Sequence, residues 1–252
     1  MPVLGIITCE ILELEIAHLL SADPDLAEVT VLEDDSSSGF IEALEELGRF
    51  NPQRTPMLRG FRPLASGKFE VLVRVLELAL HNRKWLLQEG LVKASKEMSR
   101  YVDAILLGYG LCGNALQNPE ELLAETNVPI ILPMDTDHPV DDCVGLIIGG
   151  REGYYEEQCK EAGTFFMIPG WTRHWKRLID KDFGKMDMKM AKRIFSNYKR
   201  SLLIPTSVST EEAMKHKIDE FNRLFGLRVE MRPGTLEILQ KAWDEAKTRV
   251  CE

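Results

Sequence analysis

Cys9, Cys112 and Cys143 are the residues of this chain best placed to do chemistry. Each stands shortly behind an apolar run of strand character: Pro2–Thr8, Asp103–Leu107 and Val128–Leu132. A thiolate is both a nucleophile and a soft metal ligand. Three of them could hold zinc with a fourth position open to substrate. They could equally hold an iron–sulfur cluster with one iron free for a non-protein ligand. The cluster is the expected cofactor and zinc the alternative, acting on a small methylated or sulfur-containing molecule.

The neighbours of these cysteines suggest further roles. Cys112 lies in Gly108-Tyr109-Gly110-Leu111-Cys112-Gly113-Asn114, where glycines permit a tight turn and close backbone approach. The bland alternative is a buried cysteine in a turn. Cys143 follows Asp141 and Asp142, whose charge opposes a free thiolate and suits a metal ligand better. His138 could supply a ligand or a proton, so Cys112, Asp142 and His138 are the catalytic candidates. Tyr109, Asn114, Arg151 and Trp171 are the substrate-binding candidates, Arg151 because glycines precede it and Trp171 because it ends a Pro-Gly-Trp turn. Cys159 and Cys251 read as incidental. The chain has no C-x-x-C, H-E-x-x-H or P-loop, so any site must be assembled from distant segments.

The elements that would assemble it alternate between strand and helix. Strands are expected at Pro2–Thr8, Glu28–Leu32, Asp103–Leu107, Val128–Leu132, Thr164–Ile168, Ser201–Ile204 and Leu227–Met231. Helices are expected at Glu10–Leu20, Phe40–Leu47, Cys143–Ile148 behind an Asp141 or Asp142 cap, and Thr235–Lys247. Phe69–Leu80 has apolar spacing that predicts a helix running past Trp85, and Ser209 with Glu212 fits a capping box. Asn51 to Gly67 reads as a long ordered loop. This alternation predicts a mostly parallel, doubly wound Rossmann-like sheet with helices on both faces. Two halves, 1–150 with the cysteines and 151–252, are expected to pack as one unit and to resemble one another. In such sheets chemistry sits beyond the carboxyl ends of the strands, which gives the three cysteines a shared edge.

Composition narrows the partners. With 31 basic against 40 acidic residues the net charge is −9, which argues against nucleic acid. Arg173 to Arg177 and Lys185 to Arg200 are locally basic and read as a solvated helix face. No apolar run reaches the ~18 residues of a membrane span, and the start reads as a strand rather than a signal peptide. An odd set of five widely spaced cysteines predicts a reducing, cytoplasmic setting without disulfides.

Several segments together resemble a known family. They are Leu107 to Asn114, Val128-Pro129-Ile130-Ile131-Leu132-Pro133, Asp142-Cys143-Val144-Gly145-Leu146-Ile147-Ile148-Gly149, and Gly163-Thr164-Phe165-Phe166 leading to Pro169-Gly170-Trp171. In order and spacing they are similar to the uncharacterised domain of unknown function 1638 of methanogens and other anaerobes, over roughly Pro2 to Trp171. The family pattern has a histidine before the Asp-Cys pair, where this chain has Asp141. The resemblance implies anaerobic one-carbon or methyl metabolism beside corrinoid-dependent methyltransferases. It leaves three classes open: a metalloenzyme, a non-enzymatic accessory or carrier for a corrinoid protein or methyltransferase, and a metal-free two-thiol acid/base enzyme.

Overall fold

The computed structural model describes residues 2–65, 67–113, 115–116, 118–183 and 188–251. A first unit is built from Val3–Cys9 (β1), Glu13–Ala22 (α1), Glu28–Leu32 (β2), Ser38–Leu47 (α2), Gln53–Thr55 (β3), Glu70–Leu76 (β4), Lys84–Met98 (α3), Ala104–Gly108 (β5), Pro119–Leu122 (α4) and Ile130–Ile131 (β6). Its six strands form one parallel sheet in the order β3-β2-β4-β1-β5-β6. Every residue of β1 and β5 is buried. Near-continuous apolar strands of this kind belong at the centre of a sheet covered on both faces. The mostly parallel Rossmann-like α/β fold follows.

The chain continues through a hairpin, Met134–Asp135 (β7) and His138–Pro139 (β8), into Cys143–Ile148 (α5) and Gly150–Lys160 (α6). Then come Thr164–Met167 (β9), Pro169–Phe183 (α7), Met188–Phe195 (α8), Arg200–Leu203 (β10), Glu211–Phe225 (α9), Arg228–Met231 (β11) and Glu237–Cys251 (α10). A second parallel sheet has the order β11-β10-β9. It has its own core, in which Phe221 meets Phe165, Phe195, Phe225 and Trp175 at centroid distances of 4.8–5.6 Å. The last helix, α10, leaves this unit and packs on β5, β1 and β6. Asp23 anchors it there, accepting from Trp243 Nε1 and Lys247 Nζ, each at 2.8 Å. A division near residue 150 therefore separates the two sheets but not α10. Among the described residues, no helix is long and apolar enough to cross a membrane.

Two local expectations are corrected. Phe69–Leu80 is not a helix: Glu70–Leu76 is the strand β4, paired with β1 and β2, and the helix begins only at Lys84. Its alternating Val71, Val73 and Val75 are β-branched and suit a pleated core strand. The cap of α9 is Thr210, whose hydroxyl accepts from Ala213 N at 3.3 Å, rather than Ser209.

Candidate functional site

β4, β1 and β5 are neighbours at the middle of the sheet, where the chain crosses from the β2–β3 side to the β5–β6 side. Parallel sheets open a crevice at such a crossing, beyond the carboxyl ends of the strands. Here the crevice is a small cavity of about 40 Å³. Cys9, Cys112 and Cys143 all line it, together with Tyr109, Trp171 and the loop Glu77–His81. Apolar side chains from Ile11, Leu12, Leu87 and Leu178 complete the wall.

Each cysteine is held by a different device. Cys9 is the last residue of β1, and a 3-10 turn, Glu10–Leu12, leads away from it. Cys112 has a left-handed backbone, φ 50°, followed by Gly113 at φ 63°. That conformation costs an ordinary residue about 1–2 kcal/mol. It is imposed by two hydrogen bonds to the segment before Cys143: Leu111 N to Val140 O at 2.7 Å and Gly113 N to Asp141 O at 3.2 Å. Gly110 permits this approach, since a Cβ there would lie 2.7 Å from Val140 O. Cys143 opens α5, whose cap is Asp142, with Oδ1 accepting from Gly145 N at 2.8 Å. Ala79 in the cavity wall is left-handed too, at φ 64°.

Burial dominates the electrostatics. It pushes the Cys9 thiol up to about 11, with Glu10 adding to the effect. Cys112 rises to about 12 through burial and the neighbouring Cys9 and Asp142. Cys143 rises well above the ordinary thiol value, through burial and then Asp142, Cys112 and Cys9. Burial also raises the Asp142 carboxyl. The Tyr109 hydroxyl is buried beside Cys9 without a well-formed hydrogen bond. Among the described residues, no three His, Cys, Asp or Glu side chains form a ready-made metal cage.

A set of buried carboxylates braces the cavity from outside. Glu10 accepts from Leu78 N at 3.0 Å and from Arg177 Nη1 at 2.6 Å, so it ties the turn after Cys9 to the β4 loop and to α7. Glu13 meets His174 Nε2 at 2.8 Å and Arg173 Nε at 3.0 Å. Arg173 and Arg177 are thus paired with buried acids rather than forming a purely solvated face. Gly170 lets α7 start directly on the Ile11 backbone, since a Cβ there would fall 1.9 Å from Ile11 O.

The sequence-predicted residues divide accordingly. The cavity gathers Cys9, Cys112, Cys143, Tyr109 and Trp171. Asp142 stands behind it as the α5 cap. His138 lines a separate groove, with Nδ1 2.5 Å from Pro139 O. Arg151 is engaged in ion pairs with Asp135 at 3.3 Å and Asp137 at 2.7 Å. Asn114 lies outside the described residues. The residues that sequence reading missed are Glu77 and His81, because the strand that delivers them was read as helix. The alternating valines of β4 were the available signal.

No curated protein and no solved structure matches the chain. A family model does, over a stretch that contains Cys112, Cys143, His81 and Trp171, extends well past the Trp171 limit of the motif resemblance, and begins after Cys9. That stretch, residues 75–243, fits the family described as "Protein of unknown function (DUF1638)"; it is more than half of the 252 residues, and the protein belongs to that family.

Proposed function

We propose that this protein is a metalloprotein in which Cys9, Cys112 and Cys143 bind a thiophilic metal that holds a small ligand. The observation that carries the reading is the convergence of three cysteines, from three separate segments, on one cavity. Their chemistry fits a metal better than free thiolate catalysis. With Cys9 and Cys112 raised to about 11 and 12, a bare site at neutral pH holds thiols, which are poor nucleophiles. A bound cation would supply the missing charge, and its affinity should rise with pH as the thiols give up protons.

The three sulfurs would suit either a single ion such as zinc or an iron–sulfur cluster, each leaving a position for a small ligand. When bound, the metal would act as a Lewis acid toward a ligand in its open position. Tyr109, whose hydroxyl lies beside Cys9, would donate its hydrogen to that ligand, while Trp171 and Leu178 exclude water. The setting in anaerobic one-carbon or methyl metabolism rests on the family resemblance. A carrier or accessory role for a corrinoid methyltransferase system is the second reading, favoured by the wide groove on the far side of Leu111.

Metal content of protein prepared without oxygen tests the proposal. Cys9→Ala, Cys112→Ala and Cys143→Ala should each lose metal, whereas Cys159→Ala and Cys251→Ala keep it. Full occupancy in Cys112→Ala would overturn the three-cysteine site.

A further inference from the structure

The sheet ends at β6, which pairs with β5 on one side only. Pro129 O accepts from Ile105 N at 2.9 Å, so the peptide groups of Pro129 and Ile131 face β5. Successive residues of a strand alternate, so Ile130 and Leu132 turn their N–H and C=O groups outward. Edge strands are commonly blunted by proline. Here Pro129 and Pro133 share the inward-facing register, and Pro133 O is already bonded to Val140 N at 3.1 Å. Among the described residues, no hydrogen bond engages the outward N–H and C=O groups of Ile130 and Leu132.

A groove of about 830 Å³ runs outside this edge. Leu111, Leu123, Ile130, Leu132 and Met134 give it an apolar floor, and Met134 is 43% exposed. Exposed Glu120, Glu121 and Glu245 contribute carboxylates to its lining, Asp137 there is paired with Arg151, and no Lys or Arg lines it among the described residues. From this combination we infer that the groove docks an extended, basic segment of a partner protein, added beside β6 as a further strand. Main-chain pairing would supply affinity, apolar side chains would fill the floor, and Lys or Arg would meet the rim. Charge decides the occupant. A second copy would set carboxylates against carboxylates in a protein of net charge −9, and nucleic acid or anionic lipid would be repelled likewise. Leu111 adjoins Cys112 in the chain, so the docked segment would lie against the wall of the cysteine cavity. This inference stands apart from the metal proposal, since neither the edge nor the rim needs a metal.

Fluorescence anisotropy of the full chain with a labelled decapeptide of alternating Lys and Val tests it. Three comparisons are decisive: an alternating Glu and Val peptide, a Lys and Val peptide N-methylated at alternate residues, and two charge-reversed proteins. The Lys–Val peptide should bind, and the other two should bind about tenfold more weakly or worse. Glu120→Lys/Glu121→Lys/Glu245→Lys should weaken binding of the Lys–Val peptide by about tenfold. Glu33→Lys/Asp35→Lys/Glu46→Lys, exposed near the opposite edge of the sheet, should change it by no more than about twofold. Equal losses in both proteins would reduce the effect to diffuse charge and overturn the inference. Undiminished binding of the methylated peptide would overturn strand pairing. No binding at all, or a dimer seen by sedimentation that the peptide cannot displace, would overturn the proposed occupant.

Discussion

The two sheets treat buried polar groups differently. In the second, Arg200 is only 2% exposed, yet its guanidinium is well partnered: Nε donates to Thr164 Oγ1 at 2.7 Å, and Nη2 to Glu157 O at 2.8 Å and Glu157 Oε2 at 3.0 Å. In the first, several buried polar atoms have no partner. They include both carboxyl oxygens of Glu15, Glu13 Oε2 and the Tyr109 hydroxyl, and among the described residues every such atom falls between Glu13 and Tyr109. The left-handed non-glycine residues, Ala79, Cys112 and Thr136, also precede the second sheet, and two of them line the cavity. Native folds satisfy buried polar groups unless something is gained by leaving them unpaired, and strain gathers at functional sites. The second sheet keeps its buried guanidinium partnered, whereas among the described unpaired atoms of the first only the Tyr109 hydroxyl lines the cavity.

That contrast predicts opposite outcomes for substitutions in the two regions. Arg200→Met should cost about 1.5–3 kcal/mol in urea unfolding, because it removes charge-assisted hydrogen bonds to Thr164 Oγ1 and Glu157, while Glu157 keeps Lys160 and Arg232 as partners. Folded Arg200→Met should bind metal as the parent does, and a loss of metal without a loss of stability would erase the distinction.

Glu15 should behave in the reverse sense. Burial raises its carboxyl to about 8, with Glu13 adding to the rise. The folded state therefore keeps a proton that the unfolded chain releases near the ordinary value of about 4.3. The contribution to stability is complete below that value and is lost as pH rises through about 8. Glu15→Gln keeps the shape without the ionisation. It should match the parent at acid pH and exceed it by on the order of 5 kcal/mol above the folded value. Parallel stability–pH curves for the two proteins would contradict the buried, protonated carboxyl.

The smallest effect on stability is expected at Cys112. In Cys112→Gly, relief of left-handed strain worth about 1–2 kcal/mol should offset the lost side-chain burial. Thermal unfolding should shift little while metal binding disappears. A large loss of stability with metal retained would make Cys112 an ordinary core residue.

The cysteine cavity was legible in sequence because strand ends of a parallel sheet share one edge, and Cys9 and Cys112 sit at two such ends. Asp142 was legible because a carboxylate before an apolar run is a local capping signal. The β4 loop was not. The run Val71 to Leu80 satisfies helical spacing as well as strand alternation, and a continuous apolar run does not reveal its period. Reading it as helix removed Glu77 and His81 from view and left His138, nearer in sequence to Cys143, as the histidine of choice. The pairing of Arg177 with Glu10 was invisible for another reason: the partners are 167 residues apart, and only the packing of α7 on the turn after Cys9 joins them. The basic stretch therefore looked like solvated surface.

The central claim, three sulfurs on one metal, is tested most directly by X-ray absorption at the metal edge of protein prepared without oxygen. Three sulfur scatterers at about 2.3 Å in the parent protein, with no metal retained by Cys9→Ala, are the predicted result for zinc. A first shell of only oxygen and nitrogen, or three sulfurs undiminished in Cys9→Ala, would contradict it.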